Sequence, residues 1–303
     1  MEKREKTVLE ILQNKAEHNP DEYEAMSLDI TDVSREVAQA ASEVSCSLDI
    51  PLRYEIRTGE QASAKPQVLF DKKKYAKKAD MLNSFGVVFG FEMDFLRAAG
   101  DSLRLFCDRL DFVLNLYPNH LFFPQLDVEN VADSVPKPSS TFNTIDTKKA
   151  RDIAFAATVF YSYGRAVPWF LVALKPLKMS PAAFLADFAE WQIVDNCAFG
   201  RFDAPRAAHK EIEKMQLVFL RQKYEEKHKE HLFSALEDMV KLNGAFSRVI
   251  AEDEECVVET TYNPDDVLSP EGMDLAHFVE STVMQHCSVA VFAGEDGPDY
   301  LIL

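Results

Sequence analysis

Positive charge is nearly missing from the last sixty residues of this sequence: between Gly244 and Leu303 one basic side chain, Arg248, stands against thirteen acidic ones. The difference, 13 − 1, places 12 of the 17 net negative charges in that stretch. Such a surface repels polyanions and disfavours nucleic acid as a general partner. Glycine is sparse as well, ten in 303 residues, and none of them forms a phosphate-cradling run. No serine sits in a Gly-x-Ser-x-Gly setting, and the five cysteines (Cys46, Cys107, Cys197, Cys256, Cys287) include no Cys-x-x-Cys pair. Nucleotide loops, hydrolase elbows and zinc ribbons lose their sequence basis. Cys287 follows His286, but neighbours on a helix point about 100° apart, too far for a working Cys/His pair. No residue nominates itself as catalytic, and the reading leans away from an enzyme. Dispersed, odd-numbered cysteines and a charged N-terminus without an apolar signal region lead us to expect a cytosolic protein.

What the sequence does contain is apolar bulk. Twenty-two phenylalanines in a chain that is 47% hydrophobic supply a well-filled core. The longest apolar run, Ile153 to Leu174, approaches bilayer length. Arg165 and Pro168 in its middle, beside Gly164, predict two buried helices broken near Pro168 rather than a membrane span.

The expected fold class is mainly α, a multi-helix body with a minor β component, with α+β character in the C-terminal part. Three segments are expected: N-terminal helices and an irregular connection over 1–64, a helical body over 65–250, and an acidic segment over 251–303. Two helices should fill 1–47 around the Asn19-Pro20-Asp21 turn, and Phe95 to Val113 carries helical spacing. Asp127 to Thr147 reads as a surface loop, and Phe199 to Phe202 as a turn. Ser180-Pro181 caps a helix with Phe184, Phe188 and Trp191 on its buried stripe. One long helix is expected from about Pro205 to Val249, and a last one from Ser269-Pro270 to Cys287. Strands are expected near Cys256 to Tyr262 and Ser288 to Phe292.

Three constellations could carry function. Lys65, Lys72, Lys73, Lys74, Lys77 and Lys78 are interleaved with Phe70 and Tyr75. This cluster is a solvated loop or helix start, a contact for an acidic partner, or a single-strand nucleic-acid patch helped by Lys148, Lys149 and Arg151, with the acidic end competing. The C-terminal Asp299-Tyr300-Leu301-Ile302-Leu303 puts an apolar tip, Tyr300 to Leu303, on the acidic region. That region suits a protein partner, and it could also imitate nucleic acid in a partner's basic groove. Finally, Glu225-x-x-His228 and Asp274-x-x-His277 have the spacing that holds iron or manganese in helical bundles, with Glu190 or Glu92 as bridging candidates. His228 falls on the apolar stripe running through Leu232, Leu236 and Val240, so it is expected near the buried face. The expected function is a non-enzymatic interaction or assembly protein with the acidic end and the lysines as opposite-sign surfaces, head-to-tail self-association being one version. The other readings are a single-strand binder and a dimetal-carboxylate enzyme.

Overall fold

The computed structural model describes residues 7–57, 67–96, 98–126, 138–194, 205–295 and 297–303. The chain is helix-rich, 54% helical with about 15% strand in small sheets, which agrees with a helical body and a minor β part. It divides into two units, Met1–Ala154 and Phe155–Leu303. The expected segments 1–64, 65–250 and 251–303 are drawn at other points.

The first unit opens with α1 (Val8–His18), where Thr7 and Glu10 form a capping box. A strand, β1 (Glu24–Ser27), follows the Asn19 turn in place of the expected helix, and α2 (Arg35–Ser42) starts later, where Ser34 accepts the Val37 N–H. Then come β2 (Cys46–Pro51), the antiparallel pair β3 (Glu55–Arg57) and β4 (Gln67–Leu69), α3 (Lys72–Ser84), β5 (Phe89–Glu92), α4 (Leu103–Leu114) and β6 (His120–Phe122). Strands β1, β2, β5 and β6 form one parallel sheet in that order. Every crossover steps the same way, and such crossovers are right-handed, so the connecting helices cover a single face. Leu48, Ile50, Phe89, Phe91 and Leu121 are buried on it. Tyr75 of α3 meets Phe91 with ring centroids 5.9 Å apart.

The helical spacing read from Phe95 becomes helix only at Leu103. Ser102 caps that start, and Leu96 is left-handed at φ 64. Phe95 still packs edge-on against Phe106 of α4. Helix α5 (Thr144–Ala156) spans the division between the units and takes the end of the expected 127–147 loop, whose first eleven residues lie outside the described ones.

In the second unit α5 runs into a π-helical turn, Ala157–Tyr163, and the chain breaks before α6 (Phe170–Leu177), as Gly164 and Pro168 predict. Among the described residues no helix is long and apolar enough to cross a membrane. Helix α7 (Pro181–Val194) starts at the Ser180 cap as expected. Phe184 and Phe188 of α7 are buried against Phe160 and Phe219. The expected Phe199–Phe202 turn lies outside the described residues.

The long helix expected to Val249 is two, α8 (His209–Glu226) and α9 (Phe233–Glu252). His228 adopts φ 54, and Lys229 N–H reaches back to Tyr224 O, which ends α8 without glycine or proline. After α9 come β7 (Cys256–Thr260), the short α10 (Pro264–Val267), α11 (Leu275–Ser281), β8 (Cys287–Gly294) and β9 (Gly297–Ile302). The helix expected to reach Cys287 stops at Ser281, where Thr282 turns extended, and Cys287 instead opens β8. The antiparallel sheet β7-β8-β9 packs on α9, with Val258, Val289 and Val291 buried in its inner face.

Candidate functional sites

The outer face of the C-terminal sheet is built in three rows. Register aligns Phe292 with Asp299, Val257 with Ala290 and Leu301, and Glu259 with Ser288, which accepts the Leu303 N–H at the end of β9; Glu255, just before β7, reaches this end of the sheet by accepting the Ala293 N–H. Side chains alternate between faces along a strand. Val257 (57% exposed) and Leu301 (59%) therefore make an apolar centre between acidic flanks. The apolar tip expected at Tyr300 to Leu303 is split by this alternation. Leu301 and Leu303 are exposed, while Tyr300 turns inward, its ring 5.9 Å from Phe246 and its hydroxyl donating to Asp265.

The lysines lie in the first unit. Lys72, Lys73 and Lys74 form the first turn of α3 behind the Asp71 cap, with Lys77 and Lys78 one turn on. Lys72, Lys73 and Lys77 are exposed, whereas Lys78 donates to Val33 O. Lys65 lies outside the described residues. The two aromatics are not stacking platforms. Tyr75 is buried, its hydroxyl donating to Pro51 O and accepting from Arg53 N–H. Phe70 packs edge-on against Phe112 with centroids 4.8 Å apart. A sequence-tolerant single-strand site needs open rings, so the nucleic-acid reading loses this support.

The proposed metal pairs do not converge. His228, expected near the buried face, is exposed, because the break after Glu226 takes it off the helical stripe. Glu225 instead lines a cleft of about 340 Å³ with Glu230, His231 and Phe233. Asp274 caps α11 through the His277 N–H and pairs with Lys175 at 2.6 Å, which holds its carboxyl below the usual range. Glu190 lines a separate cleft of about 290 Å³ where Lys223 already neutralises Asp187 and Glu226, each at 2.6 Å. Among the described residues no three His, Cys, Asp or Glu side chains gather to hold a metal. The expected iron or manganese site does not form among the described residues: Asp274 is spent on a cap and a lysine, His228 is exposed off the helical stripe, and Glu225 and Glu190 line separate clefts.

Two polar arrangements had no signal in the sequence. In the first unit, His120 Nε2 lies 2.6 Å from Asp49 Oδ1 across β5. Gly90 makes this possible, since a Cβ there would stand 2.3 Å from His120 Nε2. Gly90→Ala is expected to push the ring off Asp49 and cost about 1–3 kcal/mol, measured as a lower urea midpoint for the first unit.

In the second unit, the π-helical turn leaves carbonyls to satisfy. Gly164 N–H reaches Val159 O and Arg165 N–H reaches Ser162 O, so Phe160 O accepts instead from Gln216 Nε2 at 2.7 Å. Gly164 O accepts from Gln216 at 3.0 Å and faces His209 Nε2 at 3.3 Å. Beyond His209, Arg248 Nη1 lies 3.1 Å from Nδ1 and 2.6 Å from Glu213 Oε2. Arg248 is a donor only, so Nδ1 accepts and the imidazole proton sits on Nε2. Burial, with Arg165 nearby, takes the His209 imidazole down to about 4, and burial raises the Glu213 carboxyl. The network ties α8 to α9 and to the π turn, a cross-helix placement that linear spacing does not reveal.

No protein-family model matches this chain, and no curated protein matches it in sequence.

Proposed function

We propose that this is a non-enzymatic interaction or assembly protein of a reducing compartment, with the acidic outer face of the C-terminal sheet and the exposed lysines of α3 as contact surfaces of opposite sign. The observation that carries this is the row of exposed Val257 and Leu301, with half-buried Ala290 between them, set between Glu255, Asp299 and Glu259. An apolar centre within a polar rim is how contact surfaces are organised. The lysines add support. Three cations in a helix's first turn oppose its macrodipole, a cost of about 0.3–1 kcal/mol each. A partner carrying acidic groups would offset that cost. The four described cysteines are unpaired, in keeping with the compartment.

In the head-to-tail version the lysine face of one copy meets the acidic face of the next. The mass measured by light scattering should then fall as salt rises, because ion pairs at exposed surfaces are screened. Lys73→Glu with Lys77→Glu, and separately Leu301→Glu, should reduce the low-salt mass to that of a monomer. A mass independent of salt and of these substitutions would reject self-association.

A further inference from the structure

We infer that β7 is an open strand edge built to receive an extended basic segment of a partner protein as a fourth strand of the C-terminal sheet. The inference rests on the contact-surface reading and specifies how that surface is used. It starts from which backbone groups each edge leaves free.

Leu303 N–H donates to Ser288 O at 2.9 Å. Backbone polar groups alternate sides along a strand. Ser288, Ala290 and Phe292 therefore turn theirs towards β9, while Cys287, Val289 and Val291 turn theirs towards β7, where they meet Thr260, Val258 and Cys256. The peptide groups of Val257 and Glu259 point away from β8. Among the described residues neither makes a further hydrogen bond.

The opposite edge is blunted at Pro298 and Tyr300. By the same alternation β9 turns the peptide groups of Pro298, Tyr300 and Ile302 outward, away from β8. Pro298 has no N–H, and the Tyr300 N–H is taken by Asp299 Oδ1 at 2.8 Å. Proline and local capping are the means by which natural sheets protect an edge. One edge of this sheet is blunted and the other is not.

The occupant follows from the side chains beside the open edge. Val257 and Glu259 share the outer face of β7, Glu255 stands just before its first residue, and all three are exposed. An added strand places alternate residues beside them, so it is favoured by basic, apolar and basic side chains at every second position. A second copy of this chain fits poorly. A two-fold pairing centred on Val257 sets Glu255 against Glu259 of the other copy, and one centred on Val258 sets Val257 against Glu259. Both copies also carry a net charge of −17.

The test is fluorescence anisotropy of a labelled peptide with the alternation Lys-Thr-Val-Thr-Lys, titrated with the full chain. Binding is expected, with loss when glutamate replaces both lysines. Glu255→Lys with Glu259→Lys should weaken it about tenfold. Glu259→Pro removes an outward N–H while sparing the β7–β8 ladder, and it should weaken binding by a similar factor. Amide exchange gives a second readout that needs no variant. The Val257 and Glu259 amides should exchange fast in the free protein and slow when peptide is added. Protection of both amides in the free protein would overturn the open edge. Peptide binding that survives Glu259→Pro yet is lost in Leu301→Glu would overturn strand addition while leaving the contact-surface reading intact. Absence of peptide binding beside a salt-dependent mass would do the same.

Discussion

Asp101→Ala is expected to destabilise the first unit by about 3–5 kcal/mol, seen as a lower urea midpoint. Asp101 and Arg109 have fully buried side chains and form a two-pronged pair at 3.0 and 2.9 Å. The carboxylate also accepts the N–H groups of Leu96 and Ser102, each at 2.9 Å. Arg109 further donates to Asp94 O and lies with its guanidinium carbon 4.0 Å from the Tyr54 ring centre. Removing the carboxylate leaves a buried cation without its counter-charge and frees the left-handed Leu96 from its anchor. The penalty comes from the stranded charge more than from a lost attraction. The double variant Asp101→Leu with Arg109→Met should therefore be more stable than Asp101→Ala alone. A loss below about 1 kcal/mol in the single variant, a size typical of an exposed pair, would contradict this account.

Lowering the pH should remove about 3 kcal/mol of stability from the second unit through His209 alone. Its imidazole has an ordinary value of 6.5 and falls to about 4 in the folded chain, chiefly through burial. Between those values the unfolded chain takes up a proton that the folded one refuses, so stability declines as pH drops from 6.5 towards 4 and the loss is complete below it. The geometry agrees, since a proton on Nδ1 would face Arg248 Nη1 at 3.1 Å. Asp238 acts in the opposite sense. It accepts the Thr261 and Tyr262 N–H groups, and burial raises it to about 6 from 3.8, so the folded chain holds its proton more tightly over that range. The raised Glu213 carboxyl works in the same direction as Asp238. The wild-type profile is thus muted, and the difference between it and His209→Gln isolates the term. Glutamine can donate to Gly164 O and accept from Arg248 without titrating. Parallel denaturation curves for the two proteins at pH 7 and pH 4, with no change in their difference, would sink the assignment.

How much of this was legible depends on whether the signal was local. Ser180-Pro181, the break at Gly164 to Pro168, and the strands β7 and β8 are written in neighbouring residues, and the fold follows them. The parallel sheet of the first unit is not. Its strands are three to six residues long, and Asp49, Gly90 and His120 interrupt their apolar pattern, because their task lies across strands. His228 sits on a perfect helical stripe in the text, yet a left-handed turn at that residue, without the usual glycine, carries it to solvent. The same holds for His209, Glu213 and Arg248. Each is unremarkable in sequence, and only the antiparallel pairing of α8 and α9 brings them together.

The blunted edge at β9 has a bearing on size. A sheet with two free edges can be extended at both ends, and each added chain offers a new edge to the next, which is the geometry of a fibre. With Pro298 and the Asp299 cap on β9, addition at the β7 edge that we propose is favoured over addition at both edges. A strand added at β7 would make a complex of fixed stoichiometry, and the acidic side chains that select it are the same ones that set two β7 edges of identical chains against each other.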